Sequence, residues 1–199
     1  MPFAVWLLPD DDDSAWLVER IRALAASHGA PAFEPHITLH VGHCDPHADI
    51  ASALTRAARA GREPRLALTA GPTGESAAYF KALFITIAAA TADGEPLSGL
   101  RRRVVEELLK VDTGSPRYAP VAATSALDQA LAAYRLEPHL SLLYGKLPRQ
   151  ERRRLAQDND LRGRRIGFTR IAAVRPAPGH EGLASVDSWQ VFGHCPLGV

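Results

Sequence analysis

The chain has 199 residues, with 23 Lys and Arg against 22 Asp and Glu, so its formal charge is +1 with the histidines neutral. That balance argues against a polybasic nucleic-acid coat or membrane-surface binder. At 46% hydrophobic and 23% charged residues, it also argues against disorder. No apolar run approaches the roughly 20 residues of a membrane span, and the opening runs straight into Asp10 to Asp13 without a basic leader, so a cytoplasmic protein is expected.

Phe3 to Leu8 is a short apolar run cut off by Pro9, as in a buried strand, and the acidic stretch that follows suits a helix start. Trp16, Leu17, Ile21, Leu24 and Ala25 recur at helical spacing up to His28, where Gly29 and Pro31 stop the helix. A strand over Phe33 to Val41 and a helix over Asp45 to Ala60 come next. Arg65 to Ala70 and Ala78 to Ala89 read as a hairpin. Helices are expected over Leu97 to Lys110 and Ser125 to Tyr134, flanking a Gly/Pro/Ser loop that carries Tyr118. A strand over Pro138 to Tyr144, a helix from Arg149 to Gln157 and strands at Ile166 to Val174 and Ser188 to Gly193 complete the chain.

This succession predicts an α+β fold with antiparallel sheets, since several neighbouring strands lack a connection long enough for a parallel crossover. No glycine-rich phosphate loop appears. Cys44 and Cys195 are too few and too far apart for a disulfide scaffold and read as reduced thiols.

The informative feature is an internal repeat. Glu34-Pro-His36-Ile-Thr38-Leu-His40-Val-Gly42 recurs as Glu137-Pro-His139-Leu-Ser141-Leu-Leu143-Tyr144-Gly145, sharing Glu, Pro, His, a hydroxyl residue, Leu and Gly. The copies lie about half a chain apart, so a pseudo-twofold arrangement of two lobes would bring them face to face. Strand alternation sends His36 and Thr38, and likewise His139 and Ser141, to one side, with Ile37, Leu39, Val41, Leu140, Leu142 and Tyr144 to the other. Packing would select the apolar positions; keeping the polar ones twice points to chemistry.

Two imidazoles with near-neutral pKa values can serve as general base and general acid on opposite sides of a phosphorus centre, while the hydroxyls donate to its oxygens. This chemistry needs no metal and no cofactor, and the carboxylate cluster of a two-metal phosphoesterase is missing from the sequence. His40, His43, Cys44 and His47 invite a zinc site, but no second cluster completes a tetrahedron. The triple-arginine runs at 101–103 and 152–154 fan around their helix axes and read as solvated faces.

These residues resemble the 2H phosphoesterase superfamily, marked by two H-x-[ST]-x motifs, here His36-Ile-Thr38-Leu and His139-Leu-Ser141-Leu. The opening Ala4-Val-Trp6-Leu-Leu-Pro9 and the segment Pro138 to Tyr144 look most like the plant and yeast cyclic phosphodiesterases. The resemblance implies one bilobal domain over residues 1–199, with two antiparallel sheets related by a pseudo-twofold, helices outside and a central cleft. It implies hydrolysis of nucleoside 2′,3′-cyclic phosphates or ADP-ribose 1″,2″-cyclic phosphate to monoesters. His36 and His139 would be the acid/base pair, with His139 activating water and His36 protonating the leaving oxygen, and Thr38 and Ser141 would bind phosphate oxygens.

Further candidate substrate-binding residues are Tyr79, Phe80 and Lys81, for base stacking or a cation near phosphate. Trp6 is another, with a core role the alternative; Tyr144 reads as core, on the Leu140 and Leu142 side of its strand, with a hydroxyl that could reach the cleft rim; and His40 would be a third imidazole in the cleft. The expected partner is a small cyclic nucleotide or an RNA end, without a membrane or a long nucleic-acid track, bound to a monomer. Alternatives are a 2′-5′ RNA ligase-like enzyme and a non-catalytic nucleotide- or RNA-binding module.

Overall fold

The structure is a computed structural model that describes residues 1–45, 47–61, 64–91, 93–111, 125–176 and 189–198. The Tyr118 loop and the segment at 177–188 lie outside the described residues.

Strand β1 (Pro2–Pro9) is covered on both faces, which is why it reads as a continuous apolar run rather than an alternating one. Val5 and Leu7 enter the main core, whereas Ala4, Trp6 and Leu8 join Ala172 and Val174 on the opposite face. Helix α1 (Asp11–His28) starts where the Asp10 carboxylate accepts the Asp13 amide and ends at Gly29, whose φ of 60° is the left-handed conformation that glycine adopts without strain.

Strand β2 (Ile37–His43) leads to α2 (Ile50–Arg59), which is capped by Asp49. The predicted hairpin is β3 (Leu66–Glu75) and β4 (Leu83–Ile87), but a 3-10 turn at Tyr79–Lys81 interrupts what the sequence suggested was a longer second strand. Then come α3 (Leu97–Val111), α4 (Ala126–Ala133, capped by Ser125), β5 (His139–Leu143), α5 (Arg149–Asp158), β6 (Arg165–Arg175) and β7 (Gln190–Pro196).

The expected α+β class and antiparallel pairing are present. Rather than forming two separate sheets, the strands join in one seven-stranded sheet, β1-β2-β5-β4-β3-β6-β7, which an additional β1–β6 pairing closes into a ring. The joint is β6. At 11 residues it is long enough to pair β3 through Arg165–Phe168 and β7 through Arg170–Arg175 on one edge while β1 runs along the other.

Two halves are still recognisable in the ring. Helices α2 and α3 pack on β2, β6 and β7, whereas α1 and α5 pack on β1, β3, β4 and β5. Fully buried Leu7, Leu17, Ile21, Ile37, Leu54, Leu83, Leu140 and Phe168 fill the space between helices and sheet. Each such side chain contributes about 2 kcal/mol relative to exposure.

Candidate active site

The two motif strands meet at one residue pair, Ile37 with Leu140, in antiparallel register. Paired residues on neighbouring strands project to the same side of a sheet, and their immediate neighbours project to the other. Ile37 and Leu140 are both fully buried in the main core. His36, Thr38, His139 and Ser141 therefore all project from the opposite face, where they line a single cleft of about 390 Å³.

Each motif continues through a β-bulge at the same place. In β1–β2, Val5 pairs with His40 but Trp6 pairs with Thr38, leaving Leu39 as the extra residue. In β4–β5, Leu83 pairs with Leu143 but Phe84 pairs with Ser141, leaving Leu142 extra. A bulge places two successive residues on one side and inverts the alternation beyond it.

This inversion corrects two expectations. His40 does not join the cleft; it is 3% exposed, beneath α3, beside Phe3 and Tyr134, with its Nδ1 lacking a hydrogen-bond partner among the described residues. Its counterpart in the second motif, Leu143, is likewise buried. Tyr144, in contrast, turns away from Leu140 and Leu142 and lines the cleft, as does its counterpart Val41.

Both catalytic candidates are held alike. His36 Nδ1 lies 2.6 Å from the Glu34 carbonyl and His139 Nδ1 lies 2.7 Å from the Glu137 carbonyl. A carbonyl only accepts, so Nδ1 carries the hydrogen and donates in both rings, and Nε2 is left to exchange a proton. An aromatic residue supports each ring from the strand alongside. Trp6 stacks on His36 at 3.8 Å between centroids, with Trp189 stacked beyond it, and Phe84 meets His139 edge to face at 5.6 Å.

The surroundings of the two imidazoles differ. Burial lowers the His36 pKa to about 4, against the opposing pull of the Glu34 carbonyl and with some help from His139. His139 is also lowered, by burial first; the Glu137 carbonyl works against this, the Lys81 charge adds to it, and the Glu137 carboxylate opposes it. Both rings are thus neutral in the unliganded site near pH 7.

The hydroxyls differ too. Thr38 Oγ1 makes no side-chain hydrogen bond among the described residues. Ser141 Oγ donates to the Phe80 carbonyl at 2.9 Å and is also hydrogen-bonded with Tyr144, whose pKa is raised by burial.

Of the remaining sequence candidates, Trp6 and Phe80 line the cleft. Tyr79 and Lys81 do not. Because the chain forms a 3-10 turn there instead of a strand, Tyr79 packs against Phe80 and Tyr144, while Lys81 pairs with Glu137 at 3.3 Å and lies over the Phe84 ring. Tyr134, Val41, Pro176 and Trp189 line the cleft without having been singled out. Tyr134 and Trp189 could have been noticed as aromatics flanking a predicted strand, but nothing in the local pattern aims them at the motifs.

Arg101 also departs from the solvated reading. It is 7% exposed and donates to the Leu131 and Tyr134 carbonyls, whereas Arg102 pairs with Glu106 on the helix surface. Cys44 and Cys195 form no disulfide, and both are buried. Among the described residues no group of three or more His, Cys, Asp or Glu could hold a metal ion, and no helix is long and apolar enough to cross a membrane.

A closed antiparallel sheet with two His-x-hydroxyl strands meeting on one face is the architecture of a 2H phosphoesterase. The family model described as cyclic phosphodiesterase-like protein matches residues 1–171, and the chain belongs to that family. None of the curated proteins matches the sequence significantly. Among solved structures, E. coli LigT complexed with 3′-AMP is similar at 16% identity and a TM-score of 0.53, covering 100% of both chains. The apo form of LigT gives 16% identity and a TM-score of 0.52 over 100% of this chain and 98% of its own. A further phosphoesterase gives 16% and 0.51, covering 100% of this chain and 99% of its own. These likenesses concern the fold.

Proposed function

We propose that the protein hydrolyses cyclic phosphodiesters, such as nucleoside 2′,3′-cyclic phosphates, to phosphomonoesters by acid/base catalysis between His36 and His139. The observation that carries this reading is the Ile37–Leu140 pairing, which sets both motifs on one face of the sheet and around one cleft. LigT, which shares the fold, is known in complex with 3′-AMP.

A cyclic phosphate brings one negative charge between two neutral imidazoles, and that charge favours uptake of a proton by one of them. In this reading His36 takes that proton: its face lies on Trp6, an aromatic face attracts a cation, and together with the substrate's charge this offsets the burial that holds its pKa at about 4 in the unliganded site. Burial first, and the Lys81 charge after it, disfavour a proton on His139. His139 Nε2 then takes a proton from water as its oxygen bonds to phosphorus, and His36 gives its proton to the ribose oxygen as the opposite P–O bond breaks. Thr38 donates to a non-bridging oxygen, and Ser141 does so by turning from the Phe80 carbonyl.

The test is hydrolysis of 2′,3′-cyclic AMP with EDTA present. Wild type should turn over, and His36→Ala and His139→Ala should each lose at least about a hundredfold while remaining folded. Binding without turnover by wild type would leave a non-catalytic nucleotide-binding module, and wild-type rates in either variant would overturn the assignment.

A further inference from the structure

The cleft does not end at the four polar residues. From Thr38 it continues along β1 and β2 past Ala4, Pro2 and Val41 toward Pro176, with Tyr134 as its aromatic wall. None of the described residues lining this extension is charged. Val41 is 45% exposed, one of two large apolar side chains so exposed among the described residues. An open apolar groove beside a polar site is where the flat, uncharged part of a ligand is held.

Tyr134 is fixed from behind rather than free. The Arg101 guanidinium, buried in α3, donates to the Leu131 and Tyr134 carbonyls and so pins the end of α4. The same guanidinium lies 5.5 Å from the Tyr134 ring centroid, the His40 ring meets it edge-on, and the phenol hydroxyl points at the Thr38 carbonyl at 3.5 Å. With Arg101 over the ring, the ring surface left for the cleft is the part facing away from α3. One terminal nitrogen of this buried guanidinium holds both main-chain carbonyls, while its Nε has no hydrogen-bond partner among the described residues, so the contact to the end of α4 rests on that nitrogen and on the guanidinium lying against the ring.

We infer that Tyr134 is a specificity-determining residue that takes the nucleobase of the substrate against its ring, and that Arg101 is a positioning residue acting through it. This rests on the reading of the site as a cyclic phosphodiesterase. A nucleobase matches the apolar extension and the aromatic wall, whereas a second phosphate would meet no cation among the described residues there. Recognition of the base is thereby separated from the chemistry at phosphorus.

The experiment compares kcat/KM for adenosine 2′,3′-cyclic phosphate with that for methyl β-D-ribofuranoside 2,3-cyclic phosphate, which keeps the ribose and the reacting ring but lacks a base. Tyr134→Ala should lower the ratio of the two by roughly tenfold, through KM of the nucleoside substrate, as loss of one stacking partner does. Tyr134→Phe should keep the ratio. Arg101→Met should lower it in the same direction, and Arg101→Met with Tyr134→Ala should lower it no further than Tyr134→Ala alone. If Arg101→Met fails to fold, the Tyr134 variants decide.

Equal loss on both substrates in Tyr134→Ala, or an unchanged ratio, would overturn the inference. Wild type that hydrolyses neither substrate would instead overturn the phosphodiesterase reading on which it rests.

Discussion

Leu39 and Leu142 occupy equivalent places in the two halves of the chain, each as the extra residue of a bulge directly after the motif hydroxyl. The pair of bulges sorts the side chains around the site. It keeps Thr38 opposite Trp6 and Ser141 opposite Phe84, returns Val41 and Tyr144 to the cleft, and sends His40 and Leu143 into the core. The pseudo-twofold thus extends beyond the motifs to the aromatic residues that brace each imidazole.

The unequal bonding of the two hydroxyls separates their roles. Thr38→Val removes a donor that has no other side-chain partner among the described residues, so stability should stay within about 0.5 kcal/mol while turnover falls by at least tenfold. Ser141→Ala also strands the Phe80 carbonyl and the Tyr144 hydroxyl, and should cost about 1–3 kcal/mol in urea unfolding besides its loss of activity.

Lys81 tunes His139 through its charge. Lys81→Met removes a positive neighbour, so the pKa of His139 rises and the neutral base is populated only at higher pH. The acidic limb of the kcat/KM profile should move upward. A limb that stays in place would show that Lys81 serves only its ion pair with Glu137.

Trp6 acts on the other imidazole. Replacing it by Leu keeps the site apolar but removes the aromatic face on His36, so a protonated His36 loses stabilisation of about 1 kcal/mol. The basic limb of the same profile should move down by roughly half a unit or more. Movement of the acidic limb instead would mean that His36 is the base.

His40 makes a stability prediction unconnected to catalysis. Burial, with the Arg101 charge, lowers its pKa to about 4. Between that value and the unfolded value of 6.5, the unfolded chain binds more protons, so stability falls as pH drops through this window. Complete titration costs about 3 kcal/mol. His40→Leu, which copies the buried Leu143, should weaken the dependence of the urea midpoint on pH over that range, with His36, also lowered to about 4, carrying part of what is left.

Gly74 governs the support of the second histidine. A Cβ there would sit 2.6 Å from the Phe84 ring, which it faces across the β3–β4 ladder. Gly74→Ala must displace Phe84, which meets His139 edge to face, and is expected to destabilise by about 1–3 kcal/mol and lower kcat more than it raises KM. Urea unfolding and steady-state kinetics on one preparation measure both effects.

The sequence by itself determined the parts whose signals are local. The acidic start of α1, its stop at Gly29 and the apolar run of β1 were all legible because each depends on a few neighbouring residues. The repeat likewise revealed His36, Thr38, His139 and Ser141, since a pattern written twice stands out without coordinates. Tertiary structure decided the rest. Two-residue alternation carries no mark of where an extra residue will be absorbed, because a bulge is set by pairing with a distant strand, and so His40 and Tyr144 were read onto the wrong faces. Nor does local pattern show that β6 is shared between two halves, or that Arg101 reaches the end of α4 to hold Tyr134 at the cleft. Those relationships arise from packing between segments far apart in the chain, where the energy of burial and of main-chain pairing outweighs local preference.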